Sequence, residues 1–224
     1  MSCPPTFASA IPPQPLPGDE IHLWFCEFSP GAGTRQAIQA LLRQLLSAYC
    51  GRPVDDAALQ LGAHGKPYLR DGSLSFNLSH SGDAALVALA RYGDLGVDLE
   101  RPGRRRHHLA LAERYFCAAE SQAIAACEAE AREALFLQLW TAKEAVLKAL
   151  GRGLAFGLDR LEFALDPLPP RLLHIDDSGG AVASWQLQAL ALPGGRVGHL
   201  AWRGEPRQLR RFCHSLQPGQ ADVK

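Results

Sequence analysis

Two acidic side chains lie two positions apart in the segment Gly96-Val97-Asp98-Leu99-Glu100. On a β-strand, residues two apart share a face, so Asp98 and Glu100 project together while Val97 and Leu99 face the core. Two carboxylates held this close repel each other unless a cation lies between them, and hard oxygen ligands suit Mg²⁺ or Mn²⁺. The pattern is short and common, and two ordinary surface acids at a strand end are the alternative interpretation.

A third acid and two lysines lie in the segment Trp140-Thr141-Ala142-Lys143-Glu144-Ala145-Val146-Leu147-Lys148. Glu144 and Lys148 are four residues apart, which puts them on one face of a helix. A stabilising surface ion pair is the alternative interpretation. The many apolar neighbours, however, predict a largely buried helix, so we expect the charged groups to face a polar cleft. A third carboxylate and two cations there would suit a metal-bound diphosphate.

A third group of polar residues is the segment Phe76-Asn77-Leu78-Ser79-His80-Ser81-Gly82, which we predict to be a polar turn before an apolar strand. Small hydroxyls, an imidazole and Gly82 permit the close approach of a phosphate. A nucleophilic Ser–His pair is the alternative, although adjacent residues rarely direct their side chains at each other. Upstream, the turn Gly65-Lys66-Pro67-Tyr68 places one lysine in a rigid loop.

The elements that position these residues follow from the apolar periodicity. Helices are predicted over about residues 34–49, 108–127 and 131–150, and strands over about 21–28, 84–91, 95–100, 161–165, 172–175, 185–192 and 197–202. The run Ala84–Ala90 is almost entirely apolar, which favours a central strand covered on both faces. The turn Tyr92-Gly93-Asp94 joins it to the strand predicted over 95–100, which indicates an antiparallel hairpin. Each half of the chain thus offers a long helix and a late antiparallel hairpin.

This order predicts an α+β fold of two similar α/β halves. We expect a flexible, proline-rich arm over residues 1–20, an N-terminal half over 21–103, a C-terminal half over 104–216 and a tail over 217–224.

The composition excludes several classes of protein. Of the 224 residues, 47% are hydrophobic and 21% charged, as in an ordinary globular protein. Lys plus Arg (23) equals Asp plus Glu (23), so no global field attracts the chain to nucleic acid or membrane. The first 20 residues lack the basic segment followed by an apolar segment that is typical of a secretory signal, so we expect a cytoplasmic protein. Six cysteines without a Cys-x-x-Cys pair indicate mostly reduced thiols.

Taken in order, these motifs resemble the surfactin-type family of 4′-phosphopantetheinyl transferases. The motifs that carry the resemblance are Gly65-Lys66-Pro67, Phe76-Asn77-Leu78-Ser79-His80-Ser81, Gly96-Val97-Asp98-Leu99-Glu100, and Trp140-Thr141-Ala142-Lys143-Glu144 with Lys148. The segment Glu113-Arg114-Tyr115-Phe116, followed by Glu120, is similar to a further family motif, with Cys117 in place of its usual Ser. Each motif is weak alone, but five in the right order and spacing are a strong signal.

The resemblance implies an enzyme that moves the phosphopantetheine arm of coenzyme A to a serine of an apo acyl or peptidyl carrier protein and releases adenosine 3′,5′-bisphosphate. It also implies a pseudo-twofold arrangement of the halves with the site at their junction, and we expect a monomer. Carried over by motif, the metal ligands for Mg²⁺ (or Mn²⁺) are Asp98, Glu100 and Glu144. The implied catalytic residues are Glu144 and Lys148. The implied coenzyme A contacts are Arg35, Lys66, Pro67, Ser79, His80 and Lys148.

The basic segment Arg101–His108 is expected to face the acidic recognition helix of a carrier protein, which would speed encounter. A solvated basic loop is the alternative. Two other functions stay open: a Mg²⁺-dependent nuclease or phosphodiesterase, against which the absence of net positive charge argues, and a non-catalytic nucleotide-binding module in which Lys66, His80 and Lys148 only hold phosphates.

Overall fold

The computed structural model of the chain describes residues 8–9, 15–29, 35–103 and 107–216. The strands, in chain order, are β1 Ala8–Ser9, β2 Glu20–Phe28, β3 Leu59–Leu61, β4 Pro67–Leu69, β5 Ser75–Ser81, β6 Ala84–Ala90, β7 Leu95–Glu100, β8 Leu161–Ala164, β9 Arg171–Ile175, β10 Trp185–Ala189, β11 Val197–Arg203 and β12 Gln208–Leu216. The helices are α1 Arg35–Cys50, α2 His108–Tyr115, α3 Ala118–Ala126 and α4 Ala129–Leu150. The α+β class is confirmed, while the pseudo-twofold arrangement stays a prediction. No helix in the described ranges is both long enough and apolar enough to cross a membrane.

Two sheets form the centre of the molecule. The larger has the strand order β1-β12-β2-β6-β5 and the smaller has the order β10-β11-β7. One apolar core lies between α1 and the larger sheet, and a second fills the space between the two sheets. A third core surrounds α4, which also packs on β7 and β11. The layers therefore place β7 between the larger sheet and α4.

Strand β6 is the predicted central strand, since all seven of its residues are buried. The predicted hairpin of β6 with β7 is wrong. Strand β6 pairs with β2 on one side and β5 on the other, so both of its edges are occupied, and β7 pairs instead with β11. The corresponding hairpin in the second half, β10 with β11, is confirmed.

The segment predicted as a polar turn is mostly strand β5, which pairs along its whole length with β6. Its polar residues alternate with Phe76, Leu78 and His80, a period of two that a strand requires. The single helix predicted over residues 108–127 is two helices. The chain breaks at Phe116 and α3 begins after Cys117, whose backbone N–H donates to Oε2 of Glu120 at 3.2 Å.

Strand β12 was not predicted, and it lies inside the larger sheet between β1 and β2, parallel to both. The proposed division of the chain at residue 103 stays a prediction. Strand β12 belongs to the predicted C-terminal half but pairs with β2 of the predicted N-terminal half. Part of the predicted flexible arm is packed, because Ala8–Ser9 pairs with β12 and Leu16 is buried. Free thiols are found at Cys26, Cys50, Cys117 and Cys127, whereas Cys213 is disulfide-bonded.

Candidate active site

Strand β7 presents its acids to α4 because Gly96 leaves no side chain between strand and helix. A Cβ atom at Gly96 would lie 2.1 Å from the carbonyl oxygen of Ala145, so the helix backbone rests directly on the strand. Asp98 and Glu100 share the face of Gly96, since they follow it at intervals of two. The apolar residues between them lie in the core between the sheets, as the sequence predicted.

Asp98 is the most enclosed of these acids and has the densest set of contacts. Its Oδ1 accepts a hydrogen bond from Oγ of Ser79 at 2.8 Å and one from Nζ of Lys148 at 2.7 Å. The Asp98 side chain is 8% exposed and that of Lys148 is 27% exposed. Its other oxygen, Oδ2, is buried without a hydrogen-bond partner in the structure. One oxygen of this carboxylate is therefore hydrogen-bonded, and the other is buried without a partner.

Glu100 is held by a second serine, since Oγ of Ser81 donates to its Oε2 at 3.0 Å. Ser79 and Ser81 both belong to β5. The acidic face of β7 is thus bonded to a strand of the other sheet.

Glu144 and Lys148 lie on α4 and line a cavity of about 310 Å³. The other residues that line this cavity are His64, Gly65, Lys66, Pro67, Asn77, Leu78, Leu147, Gly151 and Gly153. The cavity brings the predicted residues Lys66, Pro67, Glu144 and Lys148 together, although they come from positions up to 82 residues apart in the chain. Of the charged groups expected to face a cleft, Glu144 and Lys148 line this cavity and Lys143 does not.

The Glu144 carboxyl has an unusual proton affinity. Burial raises its pKa to about 7, and the negative charges of Asp98 and Glu100 act in the same direction. Lys148 counteracts them, because a cation favours the ionised carboxylate. The three acids therefore act electrostatically on one another across the site.

The three acids do not form a closed metal centre. Among the residues that the structure describes, no group of three or more His, Cys, Asp and Glu side chains is arranged to hold a metal ion. In this structure Lys148 is the cation that compensates Asp98. The assignment of Asp98, Glu100 and Glu144 as ligands stays a prediction.

Lys66 joins two parts of the molecule. Its Nζ donates to the carbonyl oxygen of Leu95 at 2.9 Å and to that of Ala149 at 3.1 Å, at the start of β7 and the end of α4. Burial lowers its pKa to about 8, and Asp94 counteracts this shift. A neighbouring cavity of about 300 Å³ shares Lys66, Pro67 and Gly151 with the first.

The remaining predicted residues differ in their surroundings. The Ser79 hydroxyl is fully engaged: it donates to Asp98 and accepts from Lys148 and from the backbone N–H of Leu99. His80 and Arg35 are exposed, the latter as the first residue of α1. The centre of the predicted basic segment, residues 104–106, lies outside the described residues.

Sequence reasoning missed three polar residues of the site: His64, Asn77 and Ser81. His64 precedes the Gly65-Lys66-Pro67 turn and lines the cavity. Asn77 and Ser81 stand two positions before and after Ser79. The period of two in that motif was the signal that would have placed them on one face of a strand.

Lys143, whose role the motif left open, has no access to the cavity. Its Nζ lies 2.6 Å from Oε2 of Glu120 and donates to the carbonyl oxygens of Leu158, at 2.9 Å, and Leu161. Both charged side chains are buried, with 0% and 1% exposure. Oε1 of Glu120 accepts the backbone N–H of Phe163 at 2.9 Å. The pair connects α3, α4 and β8.

Comparison with known proteins bears on what this site does. Residues 94–200 match the model of the 4′-phosphopantetheinyl transferase superfamily. A Synechocystis sp. protein provisionally named a 4′-phosphopantetheinyl transferase is 38% identical over 67% of this chain and 63% of its own. The 4′-phosphopantetheinyl transferases HetI of Nostoc sp. and psf-1 of Bacillus pumilus are 35% and 36% identical, over 61% and 62% of this chain and 59% of each relative.

The chain thus spans about three fifths of the length of these relatives. The matched family range includes the motifs of Asp98, Glu100, Glu144 and Lys148, and the resemblance predicted from the motifs is confirmed.

Proposed function

We propose that this chain, which over residues 94–200 belongs to the 4′-phosphopantetheinyl transferase superfamily, transfers the phosphopantetheine arm of coenzyme A to a serine of an apo acyl or peptidyl carrier protein. The serine oxygen forms a bond to the β-phosphorus of coenzyme A. The bond from that phosphorus to the bridging oxygen breaks, and adenosine 3′,5′-bisphosphate leaves. The single observation that carries the proposal is the cavity in which Lys148, Lys66 and Glu144 meet beside Asp98.

Coenzyme A is long and carries charge at its diphosphate and its 3′-phosphate. Two adjoining cavities of about 310 and 300 Å³, both lined by Lys66 and Pro67, suit an extended ligand better than a compact one. Lys66 and Lys148 supply positive charge along the first. We infer that the 3′-phosphate end also meets Arg35 and His80, which are exposed, and that the cavity beyond Lys66 receives the adenine.

Lys148 is the residue we assign to the diphosphate. An ammonium has three donors, and two of those of Lys148 are directed at Asp98 and Ser79. These two bonds fix the Nζ at the border of the cavity. The remaining donor would stabilise the charge that grows on the phosphate oxygens as the P–O bond breaks.

Glu144 is the candidate base for the serine hydroxyl, directly or through a water. Burial and the charges of Asp98 and Glu100 raise the pKa of this carboxyl, which favours taking the hydroxyl proton as the serine oxygen attacks, whereas a cation bound to the same carboxylate would weaken it as a base. Its place on the cavity wall, four residues before Lys148, puts the base and the phosphate-binding cation on one side of the substrate.

The acids also fit a divalent cation, which we propose to be Mg²⁺ or Mn²⁺. Asp98 has a buried oxygen without a partner, and the pKa of Glu144, raised first by burial, is raised further by the charges of Asp98 and Glu100. Both observations are expected where positive charge is lacking among carboxylates. Asp98, Glu100 and Glu144 would hold the ion, which when bound neutralises diphosphate charge.

The test is transfer itself. The protein is incubated with coenzyme A, Mg²⁺ and an apo carrier protein, and the carrier is weighed by intact-mass spectrometry. We expect the carrier to gain one phosphopantetheine. A carrier whose acceptor serine is replaced by alanine is the control and should gain nothing. An unchanged mass of the normal carrier, or hydrolysis of added nucleic acid instead, would contradict the proposal and favour one of the other two functions.

A further inference from the structure

Strands β5 and β7 lie side by side but belong to different sheets, since β5 pairs with β6 and β7 pairs with β11. Side chains join them. The backbone N–H groups of Val97, Leu99 and Arg101 donate to the following acceptors on β5, in the same order: Oδ1 of Asn77 at 2.8 Å, Oγ of Ser79 at 3.2 Å and Oγ of Ser81 at 3.1 Å. The residue numbers rise together on both strands, so the two strands run parallel. We call these three β5 side chains the seam ladder.

The two serines of the seam ladder are polarised by these bonds. A backbone N–H can only donate, so each hydroxyl must accept from it, and the single hydroxyl proton is left for another acceptor. That acceptor is a carboxylate in both cases: Asp98 for Ser79 at 2.8 Å and Glu100 for Ser81 at 3.0 Å. Each serine therefore bonds the backbone of one residue, Leu99 of β7 or Arg101 just after it, and the side chain of the residue before it.

We propose that Ser81 is a positioning residue for Glu100. It holds the Glu100 carboxylate at a fixed place relative to Asp98, and the seam ladder aligns the acidic face of β7 with α4. This inference rests on the proposed function, in which Glu100 is a metal ligand. Ser81 is the informative member because Ser79 also binds Lys148, whereas the described hydroxyl contacts of Ser81 are with Glu100 and the Arg101 backbone.

The physical argument concerns conformational freedom. A glutamate side chain has three rotatable bonds, and ordering them opposes ligand binding. Ser81 is itself buried, 2% exposed, so its hydroxyl cannot move far from the carboxylate. Removing a hydrogen-bond partner of a metal ligand typically costs about 10–100-fold in metal affinity or activity.

The experiment compares Ser81→Val with Ser81→Thr, two substitutions of similar shape of which only threonine keeps the hydroxyl. For each variant, Mn²⁺ affinity is measured by calorimetry in the presence of coenzyme A, together with the Mg²⁺ dependence of transfer. We expect Ser81→Val to weaken Mn²⁺ binding by about 10-fold or more and to raise the Mg²⁺ concentration for half-maximal rate in parallel. Ser81→Thr keeps the hydroxyl, so its Mn²⁺ affinity should fall by clearly less than the loss of about 10-fold expected for Ser81→Val.

A matched control is Ser47→Ala in α1. The Ser47 hydroxyl also accepts a backbone N–H, from Val54 at 2.8 Å, but it donates to the carbonyl oxygen of Arg43 and not to a carboxylate. This variant should lower the unfolding temperature without changing Mn²⁺ affinity. Adding Ser81→Val to Glu100→Gln should produce no further loss of Mn²⁺ affinity, because the group that Ser81 positions is already gone.

Equal Mn²⁺ affinities for Ser81→Val and Ser81→Thr would overturn the proposal, as would a natural protein that binds no Mn²⁺ beside coenzyme A. Failure of the proposed function is a separate result. If the natural protein modifies no carrier but Ser81→Val still binds Mn²⁺ about 10-fold more weakly than Ser81→Thr, positioning is supported and transfer is not.

Discussion

Two lysines on α4, five residues apart, each lie beside a carboxylate, yet their surroundings differ. Lys143 and Glu120 are enclosed on all sides, and the Lys143 ammonium donates to Glu120 and to two backbone carbonyls. Lys148 lines a cavity and pairs with Asp98, one oxygen of which has no partner in the structure. The hydrogen bonds of the first lysine–carboxylate pair are complete, whereas the second pair has a carboxylate oxygen without a partner.

The difference indicates what each pair does. Buried charges stay ionised only when opposite charges and hydrogen bonds compensate them fully, and the Lys143 environment meets that demand. The Phe116 and Phe163 rings lie 5.1 and 5.4 Å from the Lys143 ammonium and exclude water from it. A pair of this kind holds three elements together. In the Lys148–Asp98 pair one oxygen lacks a partner and the lysine lines a cavity, so this pair can bind a ligand.

The largest effect is expected from Lys143→Met, which leaves the Glu120 charge buried without its partner. We expect the free energy of unfolding to fall by about 3–5 kcal/mol, measured by urea denaturation. The control is the double variant Glu120→Gln with Lys143→Met, which removes both charges and should recover at least about 1 kcal/mol of that loss. If Lys143→Met were as stable as the natural protein, the structural role assigned to the Lys143–Glu120 pair would be wrong.

Lys148→Met should have the opposite profile. We expect the transfer rate to fall by about 100-fold or more, because a donor to the growing phosphate charge is lost. Lys148 is partly exposed and Asp98 keeps its hydrogen bond from Ser79, so the unfolding free energy should fall less than for Lys143→Met, by about 1–3 kcal/mol. Rate and urea midpoint are measured on the same preparations. Full activity of this variant would show that Lys148, like Lys143, is only structural.

A third polar contact of α4 sharpens the comparison through pH. Thr141 contacts Nδ1 of the buried His199 at 2.8 Å, and burial lowers the pKa of His199 from 6.5 to about 4. Between these values the unfolded chain binds the proton and the folded chain does not. The neutral His199 therefore costs no stability above pH 6.5. As the pH falls from 6.5 toward 4, the free energy of unfolding falls with a slope of up to about 1.4 kcal/mol per pH unit.

His199→Gln should flatten the pH dependence of the unfolding free energy in that window. The matched control is His174→Gln, at an exposed position on β9, and it should leave the slope as it is. Parallel curves for His199→Gln and the natural protein would show that His199 does not titrate as its burial predicts.

Local patterns predicted the elements whose side-chain period is regular. Strand β7 was predicted with its observed limits, and α4 begins two residues before the predicted start. Strand β5 was missed because Asn, Ser and Gly are typical of turns, and their alternation with apolar residues was given less weight. Strand β12 was missed because its charged residues interrupt the alternation.

Pairing was harder to predict than the elements themselves. The local sequence of a strand and its turn gives little information about which strand it will pair with. The pairing depends on strand edges that distant segments of the chain supply. Strand β7 left its expected partner β6 for β11, about 100 residues later. The roles of Ser81 and Lys143 depend on the same long-range contacts, so neither could be assigned before the strands were placed.

The position of β12 has a consequence for how the molecule is made. During synthesis β2, β5 and β6 leave the ribosome early, but the strand that covers the open side of β2 is encoded almost 200 residues later. Such distant pairing slows folding, and early strands wait with an exposed edge. The acids of β7 depend on distant pairing too, because β7 pairs with β11, about 100 residues later in the chain. Proteins shortened before residue 208 keep the edge of β2 exposed, and we expect them to accumulate as aggregates.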